Sequence, residues 1–411
     1  MSILSCIPIF ADHRPPFPYP ILVALAFITP VLALFNSKAL VPLLIVAVLI
    51  ALAAHIRRSD RPTIQWSWLG RATIVFVVWI FISLGWSDHI DISAKGALKF
   101  SGNLILAYLS LRLLITTHDD NGVQTVSKAL ITGFIIVVII LFFEGMSGGQ
   151  GTSLVSNRKP TQVGLYWLNH ANTVLALLAW PVAILLWRRS VMLATGAILV
   201  VAGAAWVIKF DTLLISMGMS IIAWAAMYYA PRIFRPLGVV CLGLYILAGP
   251  LTLTTYLKPV EMAKIASLPN PLVHRFHIWT FTSDKIAERP ITGHGINTSR
   301  TMSNRTMRAQ DEVRGDYGEL LPIHPHNFVL QIWLELGAIG AVLFAAVSGL
   351  LFLWLTANSF SRIQRAVSTA QFSIVVALLS SSFGILQSWF LAALWIVAAV
   401  TATVLSQPQR S

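Results

Sequence analysis

Two adjacent residues, His326 and Asn327, stand at the mouth of a long apolar run, and nine residues further on comes Gly337-Ala338-Ile339-Gly340. An imidazole near its ordinary pKa of about 6.5 can take a proton from an attacking hydroxyl, and the amide beside it can orient the ring. The small residues Gly337, Gly340 and Ala341 allow neighbouring helices to approach closely. Upstream, Arg275 and Trp279 are four residues apart and share one face of a helix. A guanidinium there can grip two oxygens of an oxyanion at once. Gly293 and Gly295 flank His294 in a tight turn whose backbone N–H groups are placed to form an anion-binding nest.

Glu335 lies nine residues beyond His326, roughly 13 Å deeper along a helix that rises 1.5 Å per residue. A carboxylate at that depth needs a partner or a proton, which makes it either a site residue or a structural one. Asn169 and His170 open another apolar run, where they either face the same cavity or anchor the helix at the interface. Five of the ten histidines, His274, His277, His294, His324 and His326, fall between Leu257 and His326. The pairs His274/His277 and His324/His326 also permit a zinc-hydrolase reading, although Arg275 interrupts the first pair.

These residues must be carried by a membrane scaffold. The chain has 411 residues, 56% hydrophobic and 11% charged, whereas soluble domains carry about 25% charge. A water-soluble globular protein is excluded. The net charge of +13 is read as basic loops beside a membrane and not as a nucleic-acid footprint. The two cysteines, Cys6 and Cys241, support neither a disulfide framework nor a cysteine zinc site. Ser2 to Ala11 is too short an apolar run for a cleavable signal.

Apolar runs between polar breaks predict an all-α polytopic bundle of about twelve spans. They lie near 19–35, 39–55, 68–86, 98–115, 127–144, 172–187, 190–208, 213–229, 237–256, 328–355, 366–382 and 389–405. The expected organisation is nine helices within 1–256, a loop at 257–327 carrying site residues, and three helices within 328–411. In that loop, Asn270-Pro271 reads as a helix start and Pro290 as its stop, with Leu272, Phe276, Trp279 and Ile286 on the apolar side of an interfacial helix.

Basic residues favour the cytoplasm when they sit in short loops. With the N-terminus inside, thirteen fall on the inner side: Arg14, Arg57, Arg58, Arg61, Arg112, Lys128, Arg188, Arg189, Arg232, Arg235, Arg362, Arg365 and Arg410. Six fall in short outer loops: Lys38, Lys95, Lys99, Arg158, Lys159 and Lys209. Both termini are thus expected in the cytoplasm and the long loop outside.

The segment from His326 to Gly340 resembles the signature of the O-antigen ligase family, within a superfamily that includes O-antigen polymerases and protein O-oligosaccharyltransferases. That signature is His, then Asn, Ser or Gln, nine residues, and Gly-x-x followed by Gly, Thr or Tyr. Arg275, Trp279 and the Pro290, Gly293, Gly295 turn are also similar to superfamily features. The resemblance implies transfer of a glycan from undecaprenyl diphosphate to lipid A–core oligosaccharide on the periplasmic face of the inner membrane, without metal or ATP. It implies His326 as base, Arg275 as the phosphate ligand, and Asn327 orienting His326 or a sugar hydroxyl. Lys209 or Arg300 would assist. Family members tend to carry a Ser-Arg element near a middle helix, where this chain reads IKFDTLL with Lys209 as the nearest cation.

A polymerase extending another lipid-linked glycan would use the same donor chemistry. A transporter is the contrasting class, but apart from Glu335, Arg71 and Lys99 the expected spans are nearly free of ionisable residues and hold no evident relay.

Overall fold

In a membrane every backbone polar group needs an internal partner, so the apolar runs fold as helices. A computed structural model describes residues 19–57, 67–115, 120–156, 165–187, 189–256, 267–302, 307–312 and 314–406, with 258, 261, 262, 264 and 265. Cys6, Arg14, Arg58, Arg61, Arg158, Lys159, Arg188 and Arg410 lie outside the described residues. The long helices before the loop are α1 Tyr19–Asn36, α2 Leu40–Arg57, α3 Trp68–Ile82, α4 Ile90–Leu113, α5 Asp120–Ser147, α6 Asn169–Trp187, α7 Val191–Val207, α8 Asp211–Tyr229 and α9 Pro231–Tyr256, with a short helical segment at Gln150–Ser156. The loop carries α10, Asn270–Glu288, and after it come α11 Phe328–Leu355, α12 Arg362–Leu379 and α13 Ser388–Leu405.

All twelve expected runs are helical, but eight stretches among the described residues have the length and apolarity to cross a membrane. The first, Tyr19–Ile56, spans both α1 and α2. A short turn at Ser37–Ala39 separates them, where the Asn36 side chain accepts the Lys38 N–H. Helix α7 is apolar but has only 17 residues. Helices α4 and α12 fall short because charged and hydroxyl residues interrupt their apolar surface.

Helix α6 is buried along nearly its whole length, from Ala171 to Ile184, at the centre of the larger apolar core. A second core gathers Phe76 and Ile80 of α3, Phe100 of α4, Ile246 of α9 and Phe328, Ile332 and Leu336 of α11. The connection between α12 and α13 bridges the two, with Phe383 in the first core and Ile385 in the second.

Helix α11 is not the uninterrupted span that its apolar run suggests. Gly337 adopts φ 65° and ψ −167°, which breaks it into two helical pieces. The break frees carbonyls that would otherwise close the helical ladder, and the segment after α10 supplies their donors. His294 N–H donates to Leu334 O at 2.9 Å and Gly295 N–H to Glu335 O at 2.8 Å. In return Ala338 N–H donates to Pro290 O at 2.9 Å, and Trp79 Nε1–H reaches Leu336 O at 3.1 Å. A side chain at Gly293, where φ is +68°, would stand 2.6 Å from the backbone of Glu335, Leu336 and Gly337. Gly293→Ala is therefore expected to destabilise the fold by on the order of 3 kcal/mol. The check is a lower thermal unfolding midpoint in detergent.

Helix α10 forms as expected, with Pro271 in its first turn; Pro269 is its N-cap and Asn270 its first helical residue. Phe276 and Ile286 are buried, while Leu272 and Trp279 are only partly so. A small antiparallel hairpin, β1 Arg308–Asp311 and β2 Gly315–Glu319, was not foreseen from the sequence. Its strands are four and five residues long and polar, so they carry little alternating apolar signal.

Candidate functional site

The site is built at the start of α11. Asn327 is the N-cap, its Oδ1 accepting the N–H groups of Val329 and Leu330 at 2.9 and 3.3 Å. The residue before it, His326, has φ +54°, a left-handed conformation that a non-glycine residue holds only when its surroundings over-determine it. Here the His326 N–H donates to His324 Nδ1 at 3.1 Å, and the imidazole Nδ1 lies 3.2 Å from Ser382 O. A carbonyl can only accept, so the ring proton sits on Nδ1 and Nε2 keeps its lone pair. Among the described residues nothing occupies that Nε2. Trp279 of α10 donates to Pro325 O at 3.0 Å and so ties the loop helix to the same turn.

His324 is buried, and its Nε2 lies 3.1 Å from the Gln387 side-chain amide. Burial, followed by the charges of His326 and Arg300, pushes its pKa down to about 3. Burial and then the Arg275 charge push His326 down to about 4. Both rings are therefore neutral at pH 7. Arg275 is half-buried, and burial holds its pKa below the usual guanidinium range. The ion pairs among the described residues involve Lys264, His277, Lys285, Arg289 and Arg308, and leave Arg275 without a carboxylate. Arg300 is exposed, and its charge acts on both Lys99 and His324. Lys99 lies one turn beyond Gly96, whose missing side chain makes room for Asn297, itself three residues before Arg300. An unpaired cationic edge next to a neutral imidazole with an open nitrogen suits an anionic leaving group and a hydroxyl that must lose its proton.

Residues 174–345 match the family model described as O-antigen ligase. That stretch of the chain is similar to O-antigen ligases. A candidate polysaccharide ligase of Rickettsia conorii is 27% identical over 334 residues, covering 79% of this chain and 77% of the relative. A similarly named protein of Rickettsia prowazekii is 26% identical, covering 80% and 78%, and one of Rickettsia bellii is 28% identical, covering 66% and 65%. No solved structure matches the chain.

Arg275, Arg300, His326 and Asn327 gather at one end of α11, while several other expectations need correction. The Gly293–Gly295 turn is no open anion nest. The Gly293 N–H donates to Arg289 O, those of His294 and Gly295 to the broken helix, that of Ile296 to Ser83 Oγ and that of Asn297 to Glu335 Oε2. The His294 ring is also committed, its Nε2 at 2.8 Å from Lys285 O. Glu335 is fully buried and receives Asn297 N–H at 2.7 Å, Ser299 Oγ–H at 2.7 Å and Gln331 Nε2–H at 3.1 Å. It latches the loop onto α11 and presents no oxygen to a ligand.

His170 packs on Trp389 at 4.2 Å between ring centroids, with Nδ1 3.0 Å from Ser37 Oγ. Phe383, the neighbour of Ser382, packs against its ring, so His170 and His326 both contact the α12–α13 connection. Lys209, φ +58°, is exposed on the α7–α8 turn beside the end of α5, with no described contact to His326 or Arg275. The first histidine pair braces the hairpin: His274 Nε2 sits 2.8 Å from Glu319 O and His277 Nε2 3.2 Å from Asp311 Oδ2. Among the described residues no three His, Cys, Asp or Glu side chains form a metal-ligand group.

Ser382, Gln387, Gln331 and Lys99 were not picked out as site residues by the sequence. Ser382 acts through its backbone carbonyl, which carries no residue-specific signal. An available sign was Gly384 between Phe383 and Ile385: a side chain there would lie 3.0 Å from the His324 ring.

Proposed function

We propose that this protein moves a glycan from an undecaprenyl-diphosphate-linked donor to lipid A–core oligosaccharide at the periplasmic face of the inner membrane. The observation that carries the reading is His326, neutral with Nε2 open, beside the unpaired guanidinium of Arg275. The acceptor hydroxyl gives its proton to Nε2 as its oxygen bonds to the anomeric carbon. The bond from that carbon to the diphosphate oxygen breaks, and the lipid diphosphate departs with its electron pair. Arg275 meets the growing negative charge, with Arg300 and Lys99 at the edge. Asn327 sets the start of α11, and with it the position of His326. The reaction as written needs no metal and no ATP. The names of the rickettsial relatives, which call them polysaccharide ligases, support the ligase reading over a polymerase that would extend a second lipid-linked glycan.

Deletion of the gene tests the acceptor. Bare lipid A–core with accumulated lipid-linked polymer is the ligase result, whereas capped core with shortened polymer supports the polymerase. Purified protein should keep transfer activity after EDTA treatment and dialysis. Activity that disappears and returns with zinc would reject the metal-free mechanism.

Orientation is tested separately, from the thirteen-to-six distribution of basic residues. In a cysteine-free background, an impermeant thiol reagent applied from the periplasm should label a cysteine at exposed Glu312 and spare one at exposed Arg362. Labelling at 362 from that side would invert the topology.

A further inference from the structure

The connection Ser380–Gln387 touches both imidazoles. Ser382 O accepts from His326 Nδ1 at 3.2 Å, and the Gln387 amide meets His324 Nε2 at 3.1 Å. Midway between these contacts a buried hydrogen bond ties the connection to α11, where Ile385 N–H donates to Gln331 Oε1 at 3.2 Å. The other end of the same amide, Nε2, donates to Glu335 Oε1 at 3.1 Å. Gln331 is 2% exposed and Glu335 0%, so water cannot replace either partner. Gly384 completes the fit, since a side chain there would stand 3.2 Å from Gln331 Oε1 and 3.0 Å from the His324 ring. Gln331 also lies one helical turn beyond Asn327, whose carbonyl its N–H engages at 3.0 Å. One side chain thus joins the latch at the broken helix to the loop that fixes the base.

We infer that Gln331 is a positioning residue for His326, acting by holding the Ser380–Gln387 connection so that the Ser382 carbonyl keeps the imidazole proton on Nδ1. The inference rests on the glycan-transfer reading for its kinetic consequence, but not for its structural one. Gln331→Met keeps length and apolar volume and removes both hydrogen bonds, leaving the Ile385 N–H without an acceptor. Released from Ser382, the ring samples both tautomers. The charged and titratable neighbours of His326, namely Arg275 and His274 from α10, His324 beside it and Arg300 near His324, are unchanged by the substitution.

The test uses full-length protein in nanodiscs with 15N-labelled histidine. The His326 resonances are assigned by comparison with His326→Gln, and transfer from a lipid-linked glycan donor is measured alongside. Wild type should show a single Nδ1–H tautomer at His326. Gln331→Met should show mixed tautomers and a kcat lower by about 10²-fold with donor KM little changed. Its acid limb should move to lower pH, because the carbonyl that favours the protonated ring is no longer in place. The exchange Gln331→Glu with Glu335→Gln restores an acceptor for Ile385 N–H and an amide–carboxylate pair, and should recover about tenfold or more of the loss. If Gln331→Met does not accumulate, the exchange variant decides alone, by keeping the single tautomer or losing it. A wild-type tautomer and kcat in Gln331→Met overturns the inference, as does a kcat loss with the tautomer unchanged. A single tautomer in a wild-type protein that transfers no glycan leaves the positioning role standing and defeats the functional reading.

Discussion

His326→Ala should lower turnover by about 10²- to 10⁴-fold while the protein still accumulates in the membrane, because it removes the proton acceptor and leaves the α11 cap on Asn327 intact. His326→Gln and His326→Trp should fail as well in a lipopolysaccharide complementation assay. Either replacement could still fill the turn or anchor the helix start, so rescue by one of them would assign His326 to packing. The pH profile offers a second check. Burial first, and the Arg275 charge second, hold the free-enzyme imidazole at about 4, so the acid limb of kcat/KM should fall near pH 4 and not near 6.5. A diphosphate resting on Arg275 offsets the second of these causes. The limb of kcat, which reports the substrate complex, should therefore lie at higher pH than that of kcat/KM. Coincident limbs at 6.5 in the two profiles would place the base elsewhere.

The parts of this architecture visible in advance are those set by local physics. Apolar runs gave the helices, and Asn270-Pro271 the start of α10 to within one residue, because length, hydrophobicity and proline geometry act within a few positions. The His326-Asn327 pair could be placed at a helix mouth for the same reason. The break in α11 could not. Gly337 was read as a packing residue, and its positive φ follows from docking of a segment more than forty positions earlier in the chain. The same docking consumes the donors that made the Gly293–Gly295 turn look like an anion nest. Glu335 shows the limit most clearly: depth along a helix identified it as needing partners, but the choice between ligand and latch lay in Asn297 and Ser299, whose positions only the tertiary fold determines.

Arg275→Lys should be nearly as damaging as Arg275→Ala, a large loss for a substitution that retains the charge. A guanidinium offers a planar fork matched to two phosphate oxygens, whereas an ammonium is a compact, strongly hydrated point charge. At a half-buried position with no carboxylate ion pair among the described residues, the fork is held for an incoming anion, and the compact lysine head must shed more water to replace it. Arg300, exposed and less constrained, should tolerate lysine with little change, which gives an internal comparison on the same loop. Loss of Arg275 also removes one of the two causes that depress His326, so the free-enzyme base should move up toward 6.5 in Arg275→Ala while its kcat falls. Transfer is measured with a defined lipid-diphosphate-linked glycan and followed by product mass. Wild-type rates in Arg275→Ala would take Arg275 out of the site. Wild-type rates in Arg275→Lys alone would reduce its role to that of a point charge.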